Sequence, residues 1–149
     1  MINCFDEEYA FLSNFFDSPI TDGELWYPTV EHYFQAMKTL DPERRQTIAE
    51  APTPGKAKRL GRRVELRADW EQVKDQVMYE ALQKKFSNPL LKKMLLATGD
   101  ERLEEGNHWH DNYWGVCYCY QCQDILAKNN LGKALMRLRA ELRKDKALQ

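Results

Sequence analysis

Glu31, Gln35 and Lys38 lie four and three residues apart within Pro28-Thr29-Val30-Glu31-His32-Tyr33-Phe34-Gln35-Ala36-Met37-Lys38. At helical period they form one polar stripe beside an apolar face of Val30, Tyr33, Phe34 and Met37. Glu31 and Lys38 are two turns apart, about 10 Å along a helix axis. That is too far for an ordinary surface ion pair and a reasonable span for two groups facing one small ligand. The same stripe also reads as the solvated side of a surface helix. A second group is Asp111-Asn112-Tyr113-Trp114-Gly115. Two aromatics beside a carboxylate and an amide suit a pocket for a planar or sugar-bearing ligand, and equally a loop anchored by its aromatics. Ser13-Asn14-Phe15 is a third stretch that fits no core stripe.

Sulfur forms a fourth group. Of four cysteines, Cys117, Cys119 and Cys122 fall within six residues as Cys-x-Cys-x-x-Cys. In a reducing compartment such crowding points to metal or redox chemistry before structural disulfides. A structural zinc takes four ligands, and Cys4, His108 or His110 could supply the fourth. Reduced, partly buried thiols are the alternative. Finally, Lys56, Lys58, Arg59, Arg62, Arg63 and Arg67 make the one basic concentration in the chain. It reads either as a solvated face or as a patch turned toward phosphate.

These groups need elements to hold them. Thr29 is placed to cap a first helix, with Glu31 in its first turn where the helix dipole favours a carboxylate. Asp41-Pro42 and Thr53-Pro54 open two more helices, a capping side chain followed by proline at the first helical position. The second of these is expected to stop at Gly61. Asp69 caps the longest stretch, ending near Phe86, with Trp70, Val73, Val77 and Ala81 as its apolar stripe. Asn88-Pro89 opens another helix, closed at Gly99. Asn129 or Asn130 caps the last, with Leu131, Leu135, Leu138 and Leu142 on one face and frayed residues from Lys144 to Gln149. Residues 2–5 and Leu103 suggest short strands, Asp22-Gly23 a hairpin, and residues 104–124 look irregular. Trp70 and Trp109 read as packing, and His32 as structural. The sum is an α+β fold, mainly α, with a few short strands in a single domain over residues 1–149.

Composition excludes several classes. The chain of 149 residues suits one domain with a proper core. A net charge of −1 gives no global pull toward nucleic acid, though a local basic patch remains open. No apolar run is long enough to span a membrane. The N-terminus shows no signal-peptide pattern, and a cytoplasmic location is the expectation.

Five stretches in order carry a resemblance. They are Leu12-Ser13-Asn14-Phe15, Pro28-Thr29-x-Glu31-His32-Tyr33-Phe34-Gln35-Ala36-x-Lys38, Trp70-x-x-Val73-Lys74-x-Gln76-Val77-Met78, Asp111-x-Tyr113-Trp114-Gly115, and Asn129-x-Leu131-Gly132-x-x-Leu135-Met136-x-Leu138-Arg139. Together the chain resembles the NADAR family, also called YbiA-like, from about residue 5 to about residue 142. The resemblance implies a mainly helical α+β fold and hydrolysis of an N-glycosidic bond at a ribose C1, with no cofactor required for catalysis. It implies either removal of ADP-ribose from guanine, in DNA or nucleosides, or cleavage of ribosylamine phosphates early in riboflavin biosynthesis. A binding module for ADP-ribose without turnover is the non-catalytic alternative, and transient DNA contact is a further expectation.

Cleaving C1–N builds positive charge on the sugar and negative charge on the leaving nitrogen. Glu31 can protonate the leaving group, or as a carboxylate stabilise the cation. Lys38 occupies the position at which the family motif carries a lysine, and a lysine-dependent, Schiff-base mechanism is what the resemblance implies. Asp111 is a second carboxylate candidate. Asn14, Gln35 and Asn129 are expected to hydrogen-bond ribose hydroxyls or the base edge. Phe15, Tyr33 and Trp114 would stack against the ligand or wall it in, with Gly115 beside them. Arg59, Arg62 or Arg63 would meet phosphate. Tyr33 as core and Asn129 as a simple helix cap remain the plainer readings. The chain departs from the family between Gly115 and Asn129, where glycine is absent and the three cysteines stand. A ligand is there expected to be recognised without the close backbone approach that glycine permits.

Overall fold

Helix starts dominate the local structure, and four of them, those of α1, α2, α3 and α5, have a side chain that satisfies an amide left without an intrahelical partner. The structure, a computed structural model, describes residues 1–147. In helix α1 (Val30–Ala36) the Thr29 hydroxyl accepts from the His32 amide. In α2 (Pro42–Ala49) Asp41 accepts from the Glu43 amide, and in α3 (Pro54–Gly61) Thr53 accepts from Lys56. In α5 (Pro89–Ala97) Asn88 takes the amides of both Leu90 and Leu91. Proline opens α2, α3 and α5, where its missing N–H costs nothing. In α4 (Trp70–Lys85) the cap is made by backbone: the Asp69 carbonyl accepts from Val73, while the Asp69 carboxylate grips Arg67 at 2.6 and 3.0 Å.

The described chain is mostly helical with a few short strands, and it divides into two compact units. One comprises Asn14–Lys85. Its hairpin pairs β1 (Ile20–Thr21) antiparallel with β2 (Trp26–Tyr27), closed by Gly23 at φ +96° and by Asp22 accepting from the Glu24 and Leu25 amides. Helix α1 packs against α2, α3 and α4. All seven of its residues are buried. A helix covered on every side is a core helix, so the reading of α1 as a surface helix with a solvated stripe fails.

The other unit comprises Met1–Ser13 and the chain from Phe86 on. It holds a 3-10 helix (Glu7–Leu12), α5, a parallel pair of β3 (Gly106–Asn107) with β4 (Val116–Cys117), and a 3-10 turn (Tyr120–Cys122). The expected strand at residues 2–5 reduces to one bridge, Ile2 to Leu103. Segment 104–124 is less irregular than expected, because a two-residue strand is too short to show a period-2 pattern. The last helix, α6 (Asn130–Ala147), continues through Lys144 and Lys146, so the fraying expected there is absent; the same expectation for Leu148 and Gln149 lies outside the described residues. Arg139 is buried in this unit and donates to the Thr98 hydroxyl at 2.8 Å. Among the described residues, no helix is long and apolar enough to cross a membrane.

Of two glycines expected to end helices, one does so and the other departs. Gly99, at φ +64°, follows the C-cap of α5 as expected. Gly61 is instead the last residue of α3, with Arg62 beyond it in a right-handed helical conformation. Its lack of a side chain serves packing: a Cβ there would lie 1.9 Å from Gln35 Oε1 and 2.9 Å from Gln35 Cβ. Trp109, expected to pack, is 62% exposed.

Candidate functional site

Helix α1 brings Glu31 and Gln35 together in the core. Glu31 is 7% exposed and Gln35 is 3% exposed. Gln35 Nε2 donates to Glu31 Oε1 at 2.8 Å, the four-residue spacing of one helical turn. The Glu31 amide, one of the orphans of the first turn, donates to the Asn14 carbonyl at 3.1 Å. Gln35 Oε1 lies against Gly61 and, with Asn14 Oδ1, is one of two buried side-chain acceptors among the described residues without a hydrogen-bond partner. Asn14 Nδ2 rests on Met78 Sδ at 3.6 Å.

Lys38 stands in the turn just past α1, which ends at Ala36 with Met37 as C-cap. Its amide donates to the Gln35 carbonyl, and its own carbonyl accepts from Arg67 at 2.8 Å. The side chain is half-buried, with Nζ 5.9 Å from the Phe34 ring centroid. Burial pushes the Lys38 amine below its ordinary value. Glu31 pulls it back up, and Arg62 and Lys58 push it further down. One buried carboxylate and two neighbouring cations therefore act on this amine. Two of the six basic residues seen in the sequence, Lys58 and Arg62, act on Lys38. Arg59 and Arg63 are exposed, and Arg63 lines a groove of about 650 Å³ with Arg44 and Arg67.

The aromatic candidates divide. Tyr33 is buried, edge-on to Tyr27 with centroids 5.4 Å apart, and Lys84 Nζ lies 5.9 Å from its ring. Phe15 is exposed. His32 is structural: Nε2 donates to the Ala51 carbonyl at 3.0 Å, which leaves Nδ1 to accept from the Thr29 hydroxyl at 2.8 Å. Burial pushes its imidazole below the ordinary value.

Lys85 was not singled out from the sequence. It is 1% exposed, and burial pushes its amine down to about 7. Its Nζ lies 5.6 Å from the Phe16 ring centroid. The signal was present in the sequence: Lys85 follows Met78, Ala81 and Leu82 at helical spacing, so it continues an apolar stripe where a lysine has no ordinary place.

The remaining candidates lie in the other unit. Asp111 Oδ1 accepts the amides of Tyr113 at 3.1 Å and Trp114 at 2.9 Å, which folds the loop on itself. Tyr113 and Trp114 meet edge to face at 4.8 Å. Gly115 is glycine for packing, since a Cβ would lie 2.0 Å from Glu105 Oε2 and 2.1 Å from the Glu105 carbonyl. Asn107, which the sequence did not flag, organises the loop. It is buried, accepts from the Trp109 and Asp111 amides, and donates to the Asp111 carbonyl at 2.9 Å.

Asn129 is 1% exposed and adopts φ +51°. Its amide group donates to the Leu103 carbonyl and accepts from the Glu105 amide, so its side chain ties the start of α6 to residues 103–105 and does not cap the helix. The Asn130 and Leu131 amides are taken by the Tyr113 and Trp114 carbonyls at 3.0 and 2.9 Å. The first turn of α6 therefore spends these N–H groups on protein.

The thiols converge. Cys117, Cys119, Cys122 and His110 place their ligand atoms within 4.8 Å of one another. This set takes His110 and neither His108 nor Cys4, whose exposed thiol lies 3.5 Å from Asp6. Burial pushes the Cys117 thiol up, but hydrogen bonds from the Cys119 and His110 amides and the neighbouring thiols bring it down to about 7.

Comparison with known proteins gives the family and the fold. The family model described as NADAR domain matches residues 3–143, across both units. The chain is 42% identical over 144 residues to the N-glycosidase YbiA of Escherichia coli, covering 94% of this chain and 86% of that one. It is 36% identical over 140 residues to a riboflavin biosynthesis protein of Vibrio vulnificus, covering 92% of this chain and 36% of that longer one. Its fold matches the NMR structure of E. coli YbiA with a TM-score of 0.84 at 39% identity, over 100% of this chain and 89% of that one.

Proposed function

The chain belongs to the NADAR family, and on that premise we propose that it is an N-glycosidase that hydrolyses the bond between ribose C1 and a nitrogen, with Lys38 as nucleophile. The observation that carries this reading is the half-buried Lys38 amine, lowered by burial and acted on by buried Glu31 and by Lys58 and Arg62. Lysine attacks only as the free amine, so a lowered value puts more of the reactive form in play near neutral pH. Glu31, steadied by Gln35, takes the proton from Lys38 Nζ. The amine then attacks C1: the C1–Nζ bond forms and the C1–N bond breaks. The leaving nitrogen keeps the electron pair and receives the proton held on Glu31. The ring C1–O4 bond opens with transfer of one of the two Nζ protons to O4, which leaves a protonated imine. Water adds to C1, its two protons pass to Nζ as the C1–Nζ bond breaks, and the products are the sugar aldehyde, which recloses, and the lysine ammonium.

The substrate is a phosphate-bearing N-riboside. Lys58 and Arg62 are the cations that act on the amine and would meet the phosphate, as would the exposed Arg59 or Arg63. Asn14 Oδ1, a buried acceptor without a partner, would take a ribose hydroxyl. Tyr33 would wall the site. Phe15 would lie at its exposed edge, and Asp111 and Trp114 are candidates for ligand contact within their own unit. Asn129 is left out of the binding set because its amide group already holds residues 103–105.

We place ADP-ribose attached to guanine first among substrates, in DNA reached by transient contact or in nucleosides, and the reaction in the cytoplasm without a catalytic cofactor. A ribosylamine phosphate of riboflavin synthesis is the second reading, favoured by the name of the Vibrio vulnificus relative. Incubation with ADP-ribosylated guanine oligonucleotide and with the ribosylamine phosphate separates the two. Release of ADP-ribose from the first at a higher kcat/KM supports the guanine reading, and preference for the second reverses it. Binding of ADP-ribose with no turnover of either would reduce the protein to a binding module.

A further inference from the structure

We infer that His110, Cys117, Cys119 and Cys122 form a tetrahedral zinc site that closes the loop carrying Asp111 and Trp114. Zinc bound by cysteine and histidine has Zn–S near about 2.3 Å and Zn–N near about 2.0 Å, which sets ligand atoms roughly 3.5–3.8 Å apart around a tetrahedron. His110 Nδ1 lies 3.4 Å from Cys122 Sγ, 3.3 Å from Cys119 Sγ and 4.0 Å from Cys117 Sγ. The four ligand atoms all fall within 4.8 Å of one another. A single ion of ordinary radius fits between them with small rotamer changes.

Two features besides the ligand distances point the same way. His110 has φ +71°, a left-handed conformation that costs a histidine energy and persists only where its surroundings require it. That conformation accompanies an Nδ1 lying among the three thiols and a backbone N–H donating to Cys117 Sγ at 3.3 Å. Donation of an amide to a ligand sulfur, together with the Asn112 side chain accepting from the Cys117 amide at 2.9 Å, is the outer support that orients metal ligands. Three sulfurs and one imidazole nitrogen in a closed tetrahedral set select zinc and leave no open position for a substrate. The site is structural.

Its consequence follows from the chain between the ligands. His110 and Cys117 bracket residues 111–116, so one ion closes a six-residue loop. That loop holds the Asp111 turn. Its Tyr113 and Trp114 carbonyls take the first amides of α6, and β4 begins at its end. Zinc therefore braces both the loop and the start of the last helix. The effect on catalysis rests on the function proposed above; the metal site itself does not.

The test uses the full chain, purified under reducing conditions without chelator or metal-affinity resin. Elemental analysis is expected to find about one zinc per chain. Cys119→Ser and Cys122→Ser should each lose most of it, and Cys4→Ser should keep it. Cobalt added to the reduced, stripped protein should give the intense visible bands of tetrahedral thiolate ligation, which zinc then displaces. Stripping should lower the thermal midpoint, and zinc should restore it. Protein that is metal-free as isolated and shows no cobalt spectrum overturns the inference without recourse to any folding variant. So does a disulfide among the three cysteines in the isolated protein, or stoichiometric occupancy by a different metal. Lys38→Ala should keep its zinc while losing turnover. A zinc-loaded protein inactive on every N-riboside would refute the functional reading alone, and an active protein that never takes up zinc would refute the metal site alone.

Discussion

Replacing Lys85 with methionine keeps the length of the side chain and removes its titration. In the folded state burial holds the Lys85 amine at about 7, against 10.5 for an ordinary lysine. Between those values the unfolded chain carries a proton that the folded chain lacks. Stability therefore rises as pH increases from about 7 toward 10.5, and the full cost of burial is present below about 7. One proton gives a slope of about 1.4 kcal/mol per pH unit, and the whole window amounts to a difference on the order of 5 kcal/mol. The Phe16 ring, 5.6 Å from Nζ, favours the charged form by about 2 kcal/mol, less than the cost of burial, so desolvation wins. Urea unfolding at pH 7, 8 and 9 reads the effect. The free-energy gap between Lys85→Met and the parent should shrink with pH by roughly 1 kcal/mol per unit, while contributions common to both proteins cancel. Parallel stability curves across that range would show that Lys85 stays charged in the fold and would refute the argument from burial.

Three further outcomes follow from the same packing. Gly61→Ala should force α3 away from α1, because Gln35 Cβ, fixed near the backbone, stands in the way as well as the amide oxygen. Overpacking of this kind costs about 1–3 kcal/mol, against about 1 kcal/mol gained from alanine in a helix; urea unfolding together with turnover should show a loss in both, and an unchanged kcat would contradict the coupling of Gly61 to Glu31 through Gln35. Glu31→Gln should lower turnover about 100-fold or more and move the acid limb of imine formation to lower pH, since the carboxylate is what raises the Lys38 amine against burial; retained turnover would remove Glu31 from the mechanism. His32 should resist protonation, so its contribution to stability is complete above pH 6.5 and declines as pH falls below that value. An NMR titration of its imidazole is the check, and protonation at or above pH 6.5 would contradict the buried, neutral assignment.

The starts of α2, α3 and α5 were legible because each rests on two adjacent residues, an acceptor side chain and then proline, whose effect is local. The polar stripe of α1 was legible as spacing, but its burial was not. Periodicity places Glu31 and Gln35 on one side of a helix and is silent about whether another helix covers that side. Gly61 looked like a stop signal because glycine so often ends helices; its actual reason, the side chain of Gln35, lies 26 residues away in the chain. Trp109 looked like core because of its size, yet it precedes the turned His110 and stays exposed. Asn129 and Gly115 act through contacts with residues 103–105 that no local pattern records. The thiol spacing announced a cluster, and only folding picked His110 over His108 and Cys4 as its companion.

The proposed mechanism requires Lys38 to attack the sugar. Borohydride reduction during turnover of ADP-ribosylated guanine, followed by peptide mass spectrometry, tests it most directly. A stable sugar adduct on Lys38 is expected, absent in Lys38→Ala, with turnover lost in the same variant. An adduct on Lys85, or full turnover by Lys38→Ala, would contradict it.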